Sequence, residues 1–135
     1  MKHVIFLIVT LICVTNLYSQ SIKFKNNKVL IDGQECLIDN STINNVELVT
    51  NDGKQTILLN FIRTGVGFNG GLYTKIIFVE QNKSLTSRSY VFTKRLLVSK
   101  LLSDKVLVDC NINEDNINKF VMKYDEKVEE NLIRY

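Results

Sequence analysis

Histidine is almost absent from this sequence, with one residue in 135, at position 3. His3 stands in a segment that we expect to be removed, which would leave the mature chain without an imidazole. Such a chain lacks the Ser-His-Asp and Cys-His nucleophile systems, an imidazole general base and histidine-containing zinc sites. The sequence predicts no catalytic residue, and we expect a protein that is not an enzyme.

Cysteine is scarce as well, and one of the three, Cys13, lies in the same leading segment. The remaining pair, Cys36 and Cys110, is too small a set for thiolate zinc or iron-sulfur ligation, so we predict neither a metal nor a cofactor. Two interpretations of the pair stay open. One is a single disulfide, which an oxidising compartment would favour, and the other is two buried free thiols acting as small hydrophobes.

Excess charge of one sign is also lacking, because 17 basic residues face 14 acidic ones and the formal net charge is +3. A nucleic-acid partner would need a larger, clustered basic excess, so we expect none. The length of 135 residues provides for one domain and one core, which excludes a multidomain enzyme. Proline is absent and no glycine follows Gly71, so nothing in the sequence marks the end of the last helix.

The first nineteen residues have the pattern of a secretory signal. Lys2 and His3 form a basic start, and residues 4–14 are an uncharged apolar run that is too short to span a bilayer. Polar residues follow, and Ser19 is a plausible cleavage position. We therefore predict a signal peptide over residues 1–19, a single domain over residues 20–135, a secreted or periplasmic location, and no integral membrane segment after cleavage.

The first part of the predicted domain is typical of antiparallel hairpins. Asp32-Gly33 lies between two β-rich runs, and a two-residue turn there places Ile31 opposite Gln34 and Val29 opposite Cys36. Asp52-Gly53 predicts a second hairpin. Its core-facing set is Val46, Leu48, Ile57, Leu59 and Phe61.

Further strands are predicted at Ile22–Lys25 and at residues 72–80 and 85–91, and helical periodicity begins after Phe92. Thr93 and Asn113 are the expected caps of two helices. The segment 105–112 alternates, which predicts a strand or an extended connector. The buried faces of the helices are predicted to hold Leu97, Val98, Leu101 and Leu102, then Ile117, Phe120, Val121, Tyr124 and Val128. The predicted class is α+β, an antiparallel β-meander of about six or seven strands in a curled sheet followed by two C-terminal helices.

Residues 65–70 match the G-x-G-x-x-G pattern of dinucleotide sites. A strand follows them where a phosphate site needs a helix N-terminus, so we interpret the segment as a flexible hairpin connection. Phe68 and Asn69 at its tip are the candidate interaction loop. The alternative is that Phe68 folds back onto the core.

The Ser19-Gln20 junction, the KVLIDGQE hairpin and the closing NINEDNINKFVMKYDE helix resemble small exported proteins of unknown function from Bacteroidota-type bacteria. The resemblance implies export and an α+β fold, and it brings no catalytic residues with it.

Three hypotheses for function follow from these observations. The first is a non-enzymatic binding or interaction module of the periplasm or cell exterior, with a protein or envelope partner. The second is a carrier of a lipid or other small apolar ligand inside the curled sheet. The third is a histidine-free hydrolase, whose sign would be a buried carboxylate pair, or a lysine beside a serine, in a concave pocket.

Overall fold

Seven antiparallel strands form one open sheet, in which each strand is hydrogen-bonded to the next along the chain. The computed structural model describes residues 20–132, so the predicted signal peptide, with His3 and Cys13, lies outside the described residues. The strands are β1 (Ile22–Lys25), β2 (Lys28–Ile31), β3 (Gln34–Asp39), β4 (Asn45–Thr50), β5 (Thr56–Arg63), β6 (Leu72–Phe78) and β7 (Lys83–Ser87). The predicted α+β meander is confirmed, and the sheet does not close on itself.

The first hairpin turns at Asp32-Gly33, where both residues have positive φ, 51° and 81°, as a two-residue hairpin turn requires. Ile31 lies opposite Gln34, as predicted, but Val29 lies opposite Leu37 and not opposite Cys36. A bulge between Val29 and Leu30 shifts the register, and both Cys36 and Leu37 are buried. The predicted Val29–Cys36 pairing is therefore wrong by one residue, because a bulge sets two residues against one.

The second hairpin has the predicted register. Val46 lies opposite Leu59 and Leu48 opposite Ile57. The turn is centred on Asp52-Gly53, and the Thr50 amide donates to the Gln55 carbonyl at 3.0 Å. The expected core face of β4 and β5 is confirmed for Val46, Leu48, Ile57 and Leu59. It is wrong for Phe61, which is 40% exposed.

Three helices follow the sheet: α1 (Lys94–Ser103), α2 (Glu114–Tyr124) and α3 (Val128–Leu132). The side chains of Thr93 and Asn113 cap α1 and α2, as predicted. The segment 105–112 is a small hairpin of β8 (Leu107–Val108) and β9 (Asn111–Ile112), and not one continuous strand. The alternation of apolar residues in this segment predicts one strand, but Asp109 and Cys110 both have positive φ and form a turn in its middle.

A contact between β7 and the segment after α2 sets the end of α2, which the sequence left open, and accompanies a strand end that was predicted wrongly. The Glu126 amide donates to the Thr86 carbonyl at 2.8 Å, and the Asp125 carboxylate accepts from the Thr86 amide at 3.1 Å. These bonds separate α2 from α3, so Val128 does not extend the α2 stripe. β7 ends at Ser87, next to these bonds, whereas the pattern of residues 85–91 predicts a longer strand.

The helices pack on one face of the sheet. Phe120 of α2 meets Phe78 of β6 edge to face, with ring centroids 5.8 Å apart. Fully buried aliphatic side chains from both layers surround this contact, among them Val29, Leu59, Ile76, Leu97, Val98 and Leu101. The two layers therefore share a single core.

Cys36 and Cys110 form a disulfide, with their Cα atoms 4.7 Å apart. The bond joins β3 to the turn of the β8–β9 hairpin. The disulfide interpretation is confirmed, and the free-thiol interpretation is wrong.

Candidate functional site

Strand order decides which loops lie together. In an antiparallel meander, the loops after odd-numbered strands all lie at one end of the sheet and the others at the opposite end. Residues 26–27, 40–44, 64–71 and 88–93 form the first set, which we call the apolar end. Residues 32–33, 51–55 and 79–82 form the second, the acidic end.

The apolar end carries the most exposed apolar side chains of the sheet region. Ile43 is 100% exposed, Phe68 97% and Val66 79%. Tyr90 and Val91 of the loop after β7 are each more than two-fifths exposed. The acidic end contributes one exposed large apolar residue, Val79. Because contiguous exposed apolar surface is a feature of interaction sites, this end is the candidate surface.

The loop that carries Val66 and Phe68 is tightly closed at its base. The Gly65 amide donates to the Gly70 carbonyl at 3.0 Å, and the Arg63 guanidinium donates to the Asn69 carbonyl at 2.7 Å. Asn69 has φ 55°, a left-handed conformation that asparagine tolerates. Phe68 therefore stands out into solvent on a fixed base and does not fold back onto the core, while its contact with a partner stays a prediction.

Gly71 shows how closely this base is packed. A Cβ atom there would lie 1.9 Å from Thr64 Oγ1 and 2.5 Å from the Val66 carbonyl oxygen. The residue also has φ 66°, which favours glycine. The glycine-rich segment is thus the hairpin connection predicted, and its glycines serve the backbone.

A shallow groove of about 240 Å³ lies between this loop and the loop after β7. Its lining includes Val66, Phe68, Leu72, Val91 and Arg88. This volume is below the range usual for drug-sized ligands, which begins at about 300 Å³. The groove suits a single apolar side chain or the edge of a larger surface.

The loop after β7 is held by one carboxylate. Glu126 Oε1 accepts from Ser87 Oγ at 2.5 Å, the Arg88 amide at 2.9 Å and the Ser89 amide at 2.8 Å. Burial raises the pKa of Glu126, but these hydrogen bonds outweigh burial and hold it below the ordinary 4.5. Glu126 thus stays charged while it fixes the backbone that presents Arg88.

Charge divides the two ends. The loops of the apolar end contain no Asp or Glu, whereas those of the acidic end contain Asp32, Asp52 and Glu80 beside a single basic residue, Lys54. Four basic residues border the apolar end, and within residues 20–132 none of them forms a salt bridge: Lys25, Lys28, Arg63 and Arg88. The nearby acids are engaged, since Asp39 pairs with Lys94 and Glu126 holds the loop after β7.

Metal ligands, paired carboxylates and membrane-spanning helices are the other features to consider in the described part of the chain. Between residues 20 and 132, no group of three His, Cys, Asp or Glu side chains is arranged to hold a metal ion. The buried carboxylate of Asp39 lies against Lys94 and not against a second carboxylate. Over the same residues, no helix has the length and apolar character needed to cross a bilayer.

No family model, curated protein or solved structure matches the chain.

Sequence reasoning found Phe68 and Asn69 but missed Ile43, Tyr90, Val91 and the basic border. The order of the strands was the signal that could have identified these residues. Seven strands joined by consecutive hairpins put every second loop at the same end of the sheet. The predicted strand over residues 85–91 concealed it by placing Tyr90 and Val91 inside a strand.

Proposed function

We propose that this protein is an exported, non-enzymatic interaction module of the periplasm or cell exterior, and that it binds its partner through the apolar end. The observation that carries the proposal is the joint exposure of Ile43, Val66 and Phe68 on two separate loops of that end. Apolar side chains exposed to this degree are stabilised when a partner removes them from water.

Export is supported by two observations. The Cys36–Cys110 disulfide is of a kind that forms and persists in oxidising compartments. The leading nineteen residues have the composition of a signal peptide. Export and the resemblance to exported Bacteroidota proteins remain predictions, and the mass of the natively expressed protein tests cleavage after Ser19.

The carrier hypothesis ranks second. It requires room between the sheet and the helices, but Leu59, Ile76, Leu97 and Leu101 are all completely buried at that interface. The hydrolase hypothesis ranks third, because Asp39, the buried carboxylate of the sheet, is occupied by an ion pair.

Site-specific crosslinking tests the proposed module. A photoreactive amino acid at position 68 should capture a component of the cell envelope when the full-length chain is expressed in its host. The matched control carries the same group at Val79, which is 45% exposed but lies at the acidic end.

We expect adducts from position 68 and few or none from position 79, because only the first lies on the proposed surface. Equal labelling from both positions, or none from either, would contradict the proposed function.

A further inference from the structure

We propose that the partner of the apolar end is an anionic phospholipid bilayer. This inference rests on the proposed function and names its partner. It joins three features of the described residues: projecting apolar tips, a basic border behind them, and an acidic surface at the far end of the sheet.

The apolar tips stand on two separate loops at the same end of the sheet. Ile43 stands on the loop after β3, and Val66 and Phe68 on the loop after β5. The backbone on either side of Val66 is open to solvent, since a Cβ atom added at Gly65 or Gly67 would meet nothing within 4 Å. Separate projecting side chains can each enter the boundary between headgroups and acyl chains.

The basic border lies where lipid phosphates would be. Arg63 is the last residue of β5 and Arg88 follows the last residue of β7, so both stand directly behind the apolar loops. Lys25 and Lys28 flank the turn between β1 and β2 at the same end. Basic residues near an anionic leaflet are attracted to it, and the attraction extends about one Debye length.

The far end of the sheet fixes the orientation. Asp32, Asp52 and Glu80 lie in its turns and outnumber the basic residues Lys54 and Lys83 at the same end. β5 alone, with eight residues, separates the ends by about 25 Å. Repulsion between these carboxylates and an anionic surface disfavours the inverted approach. An anionic membrane surface can therefore both attract the protein and orient it.

Vesicle sedimentation tests the inference on protein exported by an expression host and shown by mass to begin at Gln20. The probe is vesicles of phosphatidylglycerol and phosphatidylethanolamine in equal parts, with phosphatidylcholine vesicles for comparison. We expect binding to the anionic vesicles that weakens as salt is added.

Phe68→Ser should lower the vesicle partition coefficient about tenfold or more, since it removes one deeply inserted side chain. Lys25→Gln combined with Arg88→Gln should lower it about tenfold and flatten its salt dependence. Val79→Ser is the matched control and should bind as the unchanged protein does. Far-UV circular dichroism checks that each variant is folded.

Absence of the unchanged protein from the vesicle pellet overturns the inference, and so does a loss for Val79→Ser equal to that for Phe68→Ser. Crosslinking from position 68 separates this failure from failure of the proposed function. Protein adducts without vesicle binding would support an interaction module with a protein partner. They would contradict the proposal that the partner is a bilayer.

Discussion

Asp39 is a nearly buried carboxylate on the core face of β3, opposite Leu48. It pairs with Lys94 Nζ and accepts from the Ser41 amide at 3.0 Å. Burial disfavours its charged form, but the hydrogen bonds from Lys94 and Ser41 prevail and hold the pKa of Asp39 below the ordinary 3.8. The pair fastens the first turn of α1 to the end of β3.

Replacing this carboxylate should change how stability depends on pH. A group with a lowered pKa in the folded state contributes stability above its unfolded pKa and loses the contribution as the pH falls through the folded value. We expect Asp39→Asn to cost about 1–2 kcal/mol of unfolding free energy at pH 7, because Lys94 keeps partial access to solvent. The difference from the unchanged protein should shrink below about pH 4.

Urea unfolding at a series of pH values measures the effect. Glu35→Gln is the control, since Glu35 is an exposed carboxylate of the same strand whose side chain makes no hydrogen bond with another described residue. A pH-independent loss in Asp39→Asn would show that packing, and not charge, supports the site.

Single residues also show what sequence reasoning could reach. Phe68 was predicted at a loop tip because glycines flank it, and a large aromatic among glycines is conspicuous. Ile43 lies in an ordinary polar stretch, so its complete exposure could not be predicted from its neighbours. The Val29–Cys36 register failed because a bulge changes the pairing by one residue without any change in composition.

The β8–β9 hairpin is joined to β3 by a covalent bond as well as by the burial of Leu107 in the core. It has two residues in each strand, which is too little to be stable alone. The disulfide closes a loop with a sequence separation of 74. We predict that Cys36→Ala combined with Cys110→Ala lowers the free energy of unfolding by about 4 kcal/mol on the chain-entropy model.

Denaturant unfolding of this double variant, beside the unchanged protein with and without reductant, measures the contribution. The reduced protein should unfold near the midpoint of the variant. If the double variant unfolds at the midpoint of the unchanged protein, the bond contributes nothing to stability.

In the helices, features that depend on neighbouring residues could be predicted, and those that depend on distant residues could not. The Thr93 and Asn113 caps were predictable because a cap is a local hydrogen bond. The break between α2 and α3 was not, since Tyr124 and Val128 stand at helical spacing. Thr86, some forty residues earlier, provides the competing bonds through its amide, carbonyl and hydroxyl groups.

The sheet and the helices should unfold as one unit, because their side chains meet in a continuous aromatic cluster. Tyr90 and Phe92 from the segment before α1 pack against Tyr124 of α2, which in turn contacts Phe120. We predict that far-UV circular dichroism and tyrosine fluorescence report the same urea midpoint. The chain contains no tryptophan, so tyrosine provides the fluorescence signal. Separate midpoints would mean that the helices detach before the sheet unfolds.

The two edges of the sheet are unequal. Residues 125–128 occupy the backbone and hydroxyl groups of Thr86 at the β7 edge. At the β1 edge, Arg95 donates to the Ile22 carbonyl, and Lys23 and Lys25 are exposed. Charged residues of this kind discourage strand addition. Because Thr86 at the β7 edge is already hydrogen-bonded within the molecule, β1 is the less obstructed edge for a second copy, and the exposed lysines there oppose its addition.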